Sequence, residues 1–282
     1  MYYTILKLPN IDHKIRISPI TNEIFFNICK FIEENDDEDI TVFIDEVLIE
    51  LIQDKNIFNK LTRVDKCIIL TKLYEQYIDP NITLYCSHKE NSDIRNVNVE
   101  SASIFKKIQD LSVGYFKTIR YNNIEIEISA PSKLFCKSYD EIMISMIHRV
   151  VYDGEEYYFS SFSDFDKDKF LESINIDLFK ICTDVIKSND TTLSLIDIPD
   201  DFEYENIYIS YFNNSLYSLI KSLFSFDVKY LYENSYVFCK AMGSSYDHFK
   251  QITPHEFNQF INIHKYYNDK MNDYDNQGVD LS

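Results

Sequence analysis

Hydrophobic positions near the start of the chain change from an alternating to a helical spacing. Two short alternating runs, at 2–6 and 14–17, predict a β-hairpin. Three amphipathic segments follow, in which apolar residues recur every three or four positions. Thr21 and Thr62 are predicted N-caps, because a threonine hydroxyl there accepts a hydrogen bond from a free main-chain N–H. Residues 1–80 are therefore predicted to form a hairpin followed by helices.

Between residues 81 and 200 the spacing alternates again, in short runs separated by turn residues. Asn122-Asn123 and Asp153-Gly154 each stand between two such runs and predict tight turns of β-hairpins. The segment 101–111 is compatible with a short helix or a loop. The predicted strands are 82–86, 115–121, 124–128, the two parts of 150–159 on either side of the Asp153-Gly154 turn, and 191–198. The predicted helices are 139–149, a helix that begins after the cap Ser163, and 176–187.

The last third of the chain is predicted to be helical over 201–270. Amphipathic stretches cover 207–224 and 228–242, and Gly243 supplies a helix stop. Thr253-Pro254-His255-Glu256 combines a cap, a proline in the first turn and a glutamate three residues after the cap. An acidic flexible tail is expected over 271–282. The predicted fold class is α+β, with mainly helical N- and C-terminal regions around a small antiparallel β-rich middle region.

Charge restricts the classes of partner. The chain carries 28 basic and 46 acidic side chains, a formal net charge of −18, which repels nucleic acid and anionic membrane surfaces. No apolar run approaches the length of a membrane span, and the opening residues do not resemble a secretory leader. The six cysteines include no close pair. We therefore expect an intracellular protein with free thiols that binds neither nucleic acid nor membrane.

Motifs for catalysis or cofactor binding are weak. Cys86-Ser87-His88 is the one close pair of zinc-ligand types, and its spacing is unfavourable. Asp164, Asp166 and Asp168 resemble the start of a calcium loop, but Lys169 stands where that loop needs glycine. An acidic helix N-terminus explains the three aspartates better. With 4 glycines in the chain, none near another, a phosphate-binding loop is not expected. We predict no catalytic residue, no metal and no cofactor.

Aromatic residues are abundant, with 22 tyrosines and 21 phenylalanines. Most of those at helical spacing are expected in the core, but tyrosine also suits protein interfaces because it offers contact area with a polar tip. The surplus favours a protein-binding function. The candidate interaction residues lie on the C-terminal helices: Tyr230, Tyr232, Tyr236, Phe257 and Phe260.

The order of these segments resembles the baseplate hub assembly proteins of T4-like phages. The resemblance is carried by short strings spread over most of the chain: Leu8-Pro9, Arg16-Ile17-Ser18-Pro19, Leu61-Thr62-Arg63-Val64-Asp65, Tyr152-Asp153-Gly154-Glu155-Glu156, Lys169 to Ile174, and Thr253-Pro254-x-Glu256-Phe257. Relatives often carry cysteine pairs around the β segment that suggest a zinc-ribbon-like element. Only Cys86 remains here, so packing alone would have to hold that element.

The resemblance implies a non-catalytic, chaperone-like factor in assembly of the baseplate hub. Its expected partners are phage baseplate hub or tail proteins, and its oligomeric state is left open. Its expected location is the host cell cytoplasm during assembly and, as a further option, the baseplate of the virion tail. The alternatives are a structural subunit of the baseplate or tail, and a small-molecule enzyme with an unrecognised site.

Overall fold

A computed structural model describes residues 3–9, 11, 13–90, 93–111, 117–159, 162–174, 176–187, 192–196, 204–210 and 213–276. The helices are α1 Asn22–Glu34, α2 Asp37–Ile52, α3 Lys55–Phe58, α4 Arg63–Tyr77, α5 Ser101–Leu111, α6 Tyr139–Met146, α7 Asp164–Ser173, α8 Ile176–Lys187, α9 Ser215–Leu223, α10 Val228–Met242, α11 Tyr246–Gln251 and α12 Pro254–Asn276. The strands are β1 Thr4–Lys7, β2 Lys14–Ile17, β3 Asn81–Ser87, β4 Ile94–Glu100, β5 Lys117–Tyr121, β6 Ile124–Ile128, β7 Ile147–Tyr152, β8 Glu155–Tyr158, β9 Thr192–Ser194 and β10 Tyr208–Ser210.

The N-terminal elements form where local sequence signals predict them. Strands β1 and β2 pair antiparallel, with Thr4 opposite Ile17. The hydroxyl of Thr21 accepts from the N–H of Ile24 at the start of α1. Helix α4 begins with a reciprocal cap, in which Asp65 accepts from the Thr62 N–H at 3.0 Å and donates its own N–H to the Thr62 hydroxyl at 3.2 Å. The predicted hairpin and helices are confirmed.

The middle region contains a four-stranded antiparallel sheet in the order β5-β6-β7-β8. Both predicted tight turns are present, and their residues adopt positive φ: 53° at Asn122, 50° at Asp153 and 85° at Gly154. Strand β3 pairs with β4, which the sequence analysis missed because β4 buries few side chains and so lacks a clear apolar alternation. The segment 101–111, left open between helix and loop, is helix α5.

Two predicted helices are wrong in part. The helix expected over 139–149 ends at Met146, because the next residues pair with β6 as strand β7. The helix expected over 207–224 begins only at Ser215, because residues 208–210 pair with β9. In both segments a pairing with a distant strand overrides the local helical spacing. Of the strand predicted over 191–198, residues 192–194 are strand, and residues 191, 197 and 198 lie outside the described residues.

The last helices of the chain, α10 and α12, begin where the sequence predicts them, and the structure adds one element between them. Gly243 ends α10 in a left-handed conformation with φ of 59°. The short helix α11 was not predicted. Helix α12 continues to Asn276, so the backbone of 271–276, expected as the start of a flexible tail, is helical. Residues 277–282 lie outside the described residues.

One continuous hydrophobic core joins the N-terminal, middle and C-terminal regions. Helix α4 packs against α9 and α12, and α1 packs against α10 and α11, so the first and last thirds of the chain cover each other. The predicted α+β class is confirmed. Among the described residues no helix is both long and apolar enough to span a bilayer.

Candidate interaction surface

A cleft of about 310 Å³ lies where α1, α10 and α12 meet. Its floor is apolar and includes Phe25, Phe26, Phe226, Leu231 and Phe257. Its rim is polar and includes Asp79, Tyr230, Asn234, Asn258, Asn262 and Lys265. An apolar floor inside a polar rim is the usual composition of a protein-binding site.

Helix caps determine which side chains reach this cleft. The Asp227 carboxylate accepts from the N–H of Tyr230 at 3.1 Å and so places Tyr230 in the first turn of α10. Thr253 and Glu256 cap α12 in the same manner as Thr62 and Asp65 cap α4, with the Thr253 N–H 2.8 Å from the Glu256 carboxylate. Local chemistry thus sets the register of both helices.

The structure separates the five sequence-predicted residues by burial. Tyr230 and Phe257 both line the cleft, but Phe257 is only 5% exposed and packs against Phe238 and Phe249. Tyr236 is 68% exposed on the outer side of α10. Tyr232 stands edge-on to Phe26, and Phe260 lies against Phe238 at the margin of the core. Phe257 therefore supports the fold, while the other four present surface to solvent.

Phe226 and Asn22 are two of the cleft residues that the sequence analysis missed. Phe226 stacks edge-on against Phe25 with ring centroids 5.1 Å apart, in the turn that precedes α10. Asn22 is fully buried, and its amide donates to the Phe249 carbonyl at 3.0 Å, which ties α1 to α11. An asparagine in the first turn of a helix normally faces water, so no local signal indicated its burial.

The four-stranded sheet presents a second apolar depression, of about 510 Å³. Tyr152 and Tyr157 are half exposed beside it, and Phe170 of α7 closes its base. The other face of the sheet is charged. Arg149 there bonds to Glu127 at 3.0 Å and to Glu156 at 2.7 Å.

A third cavity, of about 340 Å³, is a place where the substrate site of a small-molecule enzyme could lie. Its lining includes the charged side chains of Lys133 and Glu141 and the imidazole of His148. One Glu141 oxygen accepts from the Lys133 ammonium at 2.7 Å, and the other accepts from the Lys137 N–H at 2.7 Å. Burial lowers the pKa of His148. The Glu141 carboxylate thus anchors the start of α6, where Ser138 is the cap.

The residues considered for metal binding are dispersed. Cys86 is buried on the inner face of β3, whereas the His88 ring packs against Tyr204 with centroids 5.2 Å apart. Ser163 caps α7 by accepting from the Asp166 N–H, as expected of an acidic helix start. Within the described part of the chain, no three His, Cys, Asp or Glu side chains converge closely enough to hold a metal ion.

The sequence profile of the family described as T4 bacteriophage base plate protein matches residues 1–198. This match covers more than two thirds of the chain, and the chain belongs to that family. It is a phage baseplate protein, as the order of its segments predicted, and its family implies other baseplate proteins as partners. No curated protein and no solved structure matches it significantly. Helices α10 and α12 lie beyond the matched residues, whereas α1 lies within them.

Proposed function

We propose that this baseplate protein is a non-catalytic assembly factor that binds a hub or tail component while the baseplate is built. The cleft between α1, α10 and α12 carries the proposal. It combines an aromatic floor with exposed tyrosine at its rim, the side chains that dominate binding energy at protein interfaces. A chaperone-like factor masks an apolar surface of its partner until assembly, and it needs such an apolar surface of its own.

The size of the cleft suits side chains of a partner protein. Its 310 Å³ is at the lower end of the range for ligand clefts, about 300–1,000 Å³. One or two apolar side chains of the partner would insert beside Phe226, while Asn234 and Asn258 offer hydrogen bonds at the rim. Because ten of the fifteen residues that line the cleft lie beyond residue 198, its specificity would differ from that of relatives lacking this C-terminal segment.

Binding assays with the phage's own hub and tail proteins, each co-expressed with this chain, test the proposal. Tyr230→Ser at the cleft should weaken binding by roughly 30-fold or more, the effect of losing an interface hot spot. Tyr236→Ser, on the outer side of α10, should have a smaller effect. Tyr208→Ser removes an equally exposed tyrosine from β10 and serves as the matched control. Binding that survives Tyr230→Ser unchanged would rule out the cleft.

A structural subunit of the baseplate is the second candidate, favoured by the same family membership. Mass spectrometry of purified virions distinguishes the two. An assembly factor that acts in the host cell cytoplasm should be absent from mature particles or far below one copy per hub. Stoichiometric presence would assign the protein to the finished baseplate.

A further inference from the structure

Helix α12 extends beyond the body of the protein. Its 23 residues span about 34 Å at the usual rise per residue. Phe257 is buried and Ile261 packs against the core, but every side chain described from Lys265 to Lys270 is exposed. These six residues therefore make few contacts with the described part of the chain.

The sequence of the second half of α12 is a poor helix former. Asparagine and aspartate recur through 268–276, and both residues disfavour helix interiors. An isolated helical segment of about 12 residues is marginal in water even with better formers. Contact with another surface would supply the stabilisation that this segment lacks by itself.

An apolar stripe runs along the outer side of α12. Phe260, Ile263 and Tyr267 are spaced by three and four residues, which places them on one face. Ile263 is 53% exposed and Tyr267 is 61% exposed. The helical repeat places Asn262 and Lys265, which line the cleft, on a different face. The stripe is thus separate from the cleft of the proposed function.

Two charges flank the stripe symmetrically. Glu256 precedes Ile263 by seven residues and Lys270 follows it by seven, so all three share a face at heptad spacing. In an antiparallel pair of identical helices centred on Ile263, each Glu256 lies level with the Lys270 of the other copy. A parallel pair would instead place like charges together. The charge pattern therefore fits a second copy in antiparallel orientation.

We propose that two copies of this protein associate through antiparallel α12 helices, with Ile263 at the two-fold axis. The interface is isologous, so the stripe of each copy packs against the same stripe of the other. Phe260 and Tyr267 flank the central isoleucine on both sides. The pair of Glu256 and Lys270 fixes the direction, and the apolar stripe supplies most of the affinity.

Sedimentation equilibrium of the purified full chain measures this association. We expect dimers at about 50 µM chain, since an interface of one helix pair is small and weak. The double variant Ile263→Asp with Tyr267→Asp should raise the Kd about 100-fold or more. Asn262→Asp with Asn268→Asp adds the same charge to other faces of α12 and should leave the Kd within a few fold. Because each copy carries a net charge of −18, added salt should favour the dimer.

Cysteine cross-linking locates the axis. Ile263→Cys should give a disulfide-linked dimer on mild oxidation, because the two introduced thiols face each other. Asn268→Cys lies off the stripe and should stay monomeric under the same conditions. The native thiols interfere little, since all except the half-buried Cys239 are buried.

Three results would overturn the proposal. They are a chain that stays monomeric at this concentration, a dimer that persists in the double aspartate variant, and cross-linking at position 268 but not 263. The chain would stay monomeric if another baseplate protein, and not a second copy, covers the stripe. If the dimer forms but the cleft binds no hub or tail protein, that result would count against the proposed function and not against the dimer.

Discussion

The Arg63 guanidinium donates from Nη1 to the main-chain carbonyl of Asn213, 2.8 Å away and 150 residues further along the chain. The Arg63 side chain is fully buried, and its Nε also donates to the Lys133 carbonyl at 2.6 Å. One side chain at the start of α4 thus joins the N-terminal helices to the middle region and to the segment that begins α9. Asn213 lies beyond residues 1–198, which match the family profile. This contact therefore joins the C-terminal third of the chain to the part that the family shares.

Arg63→Met should destabilise the protein by about 2–4 kcal/mol. The substitution keeps much of the side chain's volume but leaves the carbonyls of Lys133 and Asn213 without these donors. Urea unfolding followed by circular dichroism gives the free energy of unfolding. Arg16→Ala, on the exposed face of β2, should change it by less than about 0.5 kcal/mol. Similar values for the two variants would contradict the role assigned to Arg63.

Thr62→Ala should cost about 1–2 kcal/mol, because it removes the hydroxyl that accepts from the Asp65 N–H and donates to its carboxylate. Helix α4 is buried along most of its length, so fraying at its start exposes core. Thr62→Ser keeps the hydroxyl and should restore most of the loss. Thermal unfolding of the three proteins, compared under one buffer, measures both effects.

The ion pair of Asp37 with Lys221 should make stability sensitive to acid. The Lys221 ammonium, 2.6 Å from Asp37 Oδ1, lowers the pKa of that carboxyl below its usual value, and the Tyr217 hydroxyl assists at 2.8 Å. A carboxyl whose pKa is lower in the folded state stabilises the protein above its unfolded pKa. That contribution is lost as the pH falls through the folded pKa.

Asp37→Asn should therefore lower stability at neutral pH and flatten its decline in acid. Both partners are more than a third exposed, which limits the effect to less than about 1 kcal/mol. Urea midpoints measured from neutral pH down to about pH 3 give the profile. Asp269→Asn, on the exposed half of α12, is the control for loss of one negative charge. Parallel pH profiles for wild type and Asp37→Asn would contradict the assignment.

Thiol reagents should modify one cysteine of the native protein quickly. Burial raises the pKa of Cys67 to about 12 and of Cys182 to about 11, so little reactive thiolate forms. Cys239 is half-buried, whereas the other five cysteines are buried. Counting thiols with a chromogenic disulfide should give one in native protein and six in denaturant. Cys239→Ser should remove the fast reaction, and a persisting fast phase would show that another thiol is accessible.

Local chemistry in the sequence determined most element boundaries of this protein. Thr21, Thr62 and Thr253 start helices because a hydroxyl can satisfy a free N–H from within the same turn. Asp153-Gly154 forms its turn because these residues tolerate positive φ. These interactions join residues a few positions apart, so the sequence alone contains both partners. The order of such segments was also enough to indicate the baseplate family.

Only the tertiary structure decided which residues are buried and which strands pair. Ile147 and Tyr208 are in strands and not in the predicted helices, because β6 and β9 supply hydrogen-bond partners for their backbone. Phe257 and Tyr230 belong to similar amphipathic patterns, yet only Phe257 is in the core, because Phe238 of α10 and Phe249 of α11 pack against it. Tyr230 is 57% exposed. Arg63, a residue type normally in water, is buried because carbonyl groups from two remote segments converge on it. Burial depends on partners far along the chain, and the spacing of residues within one segment cannot encode them.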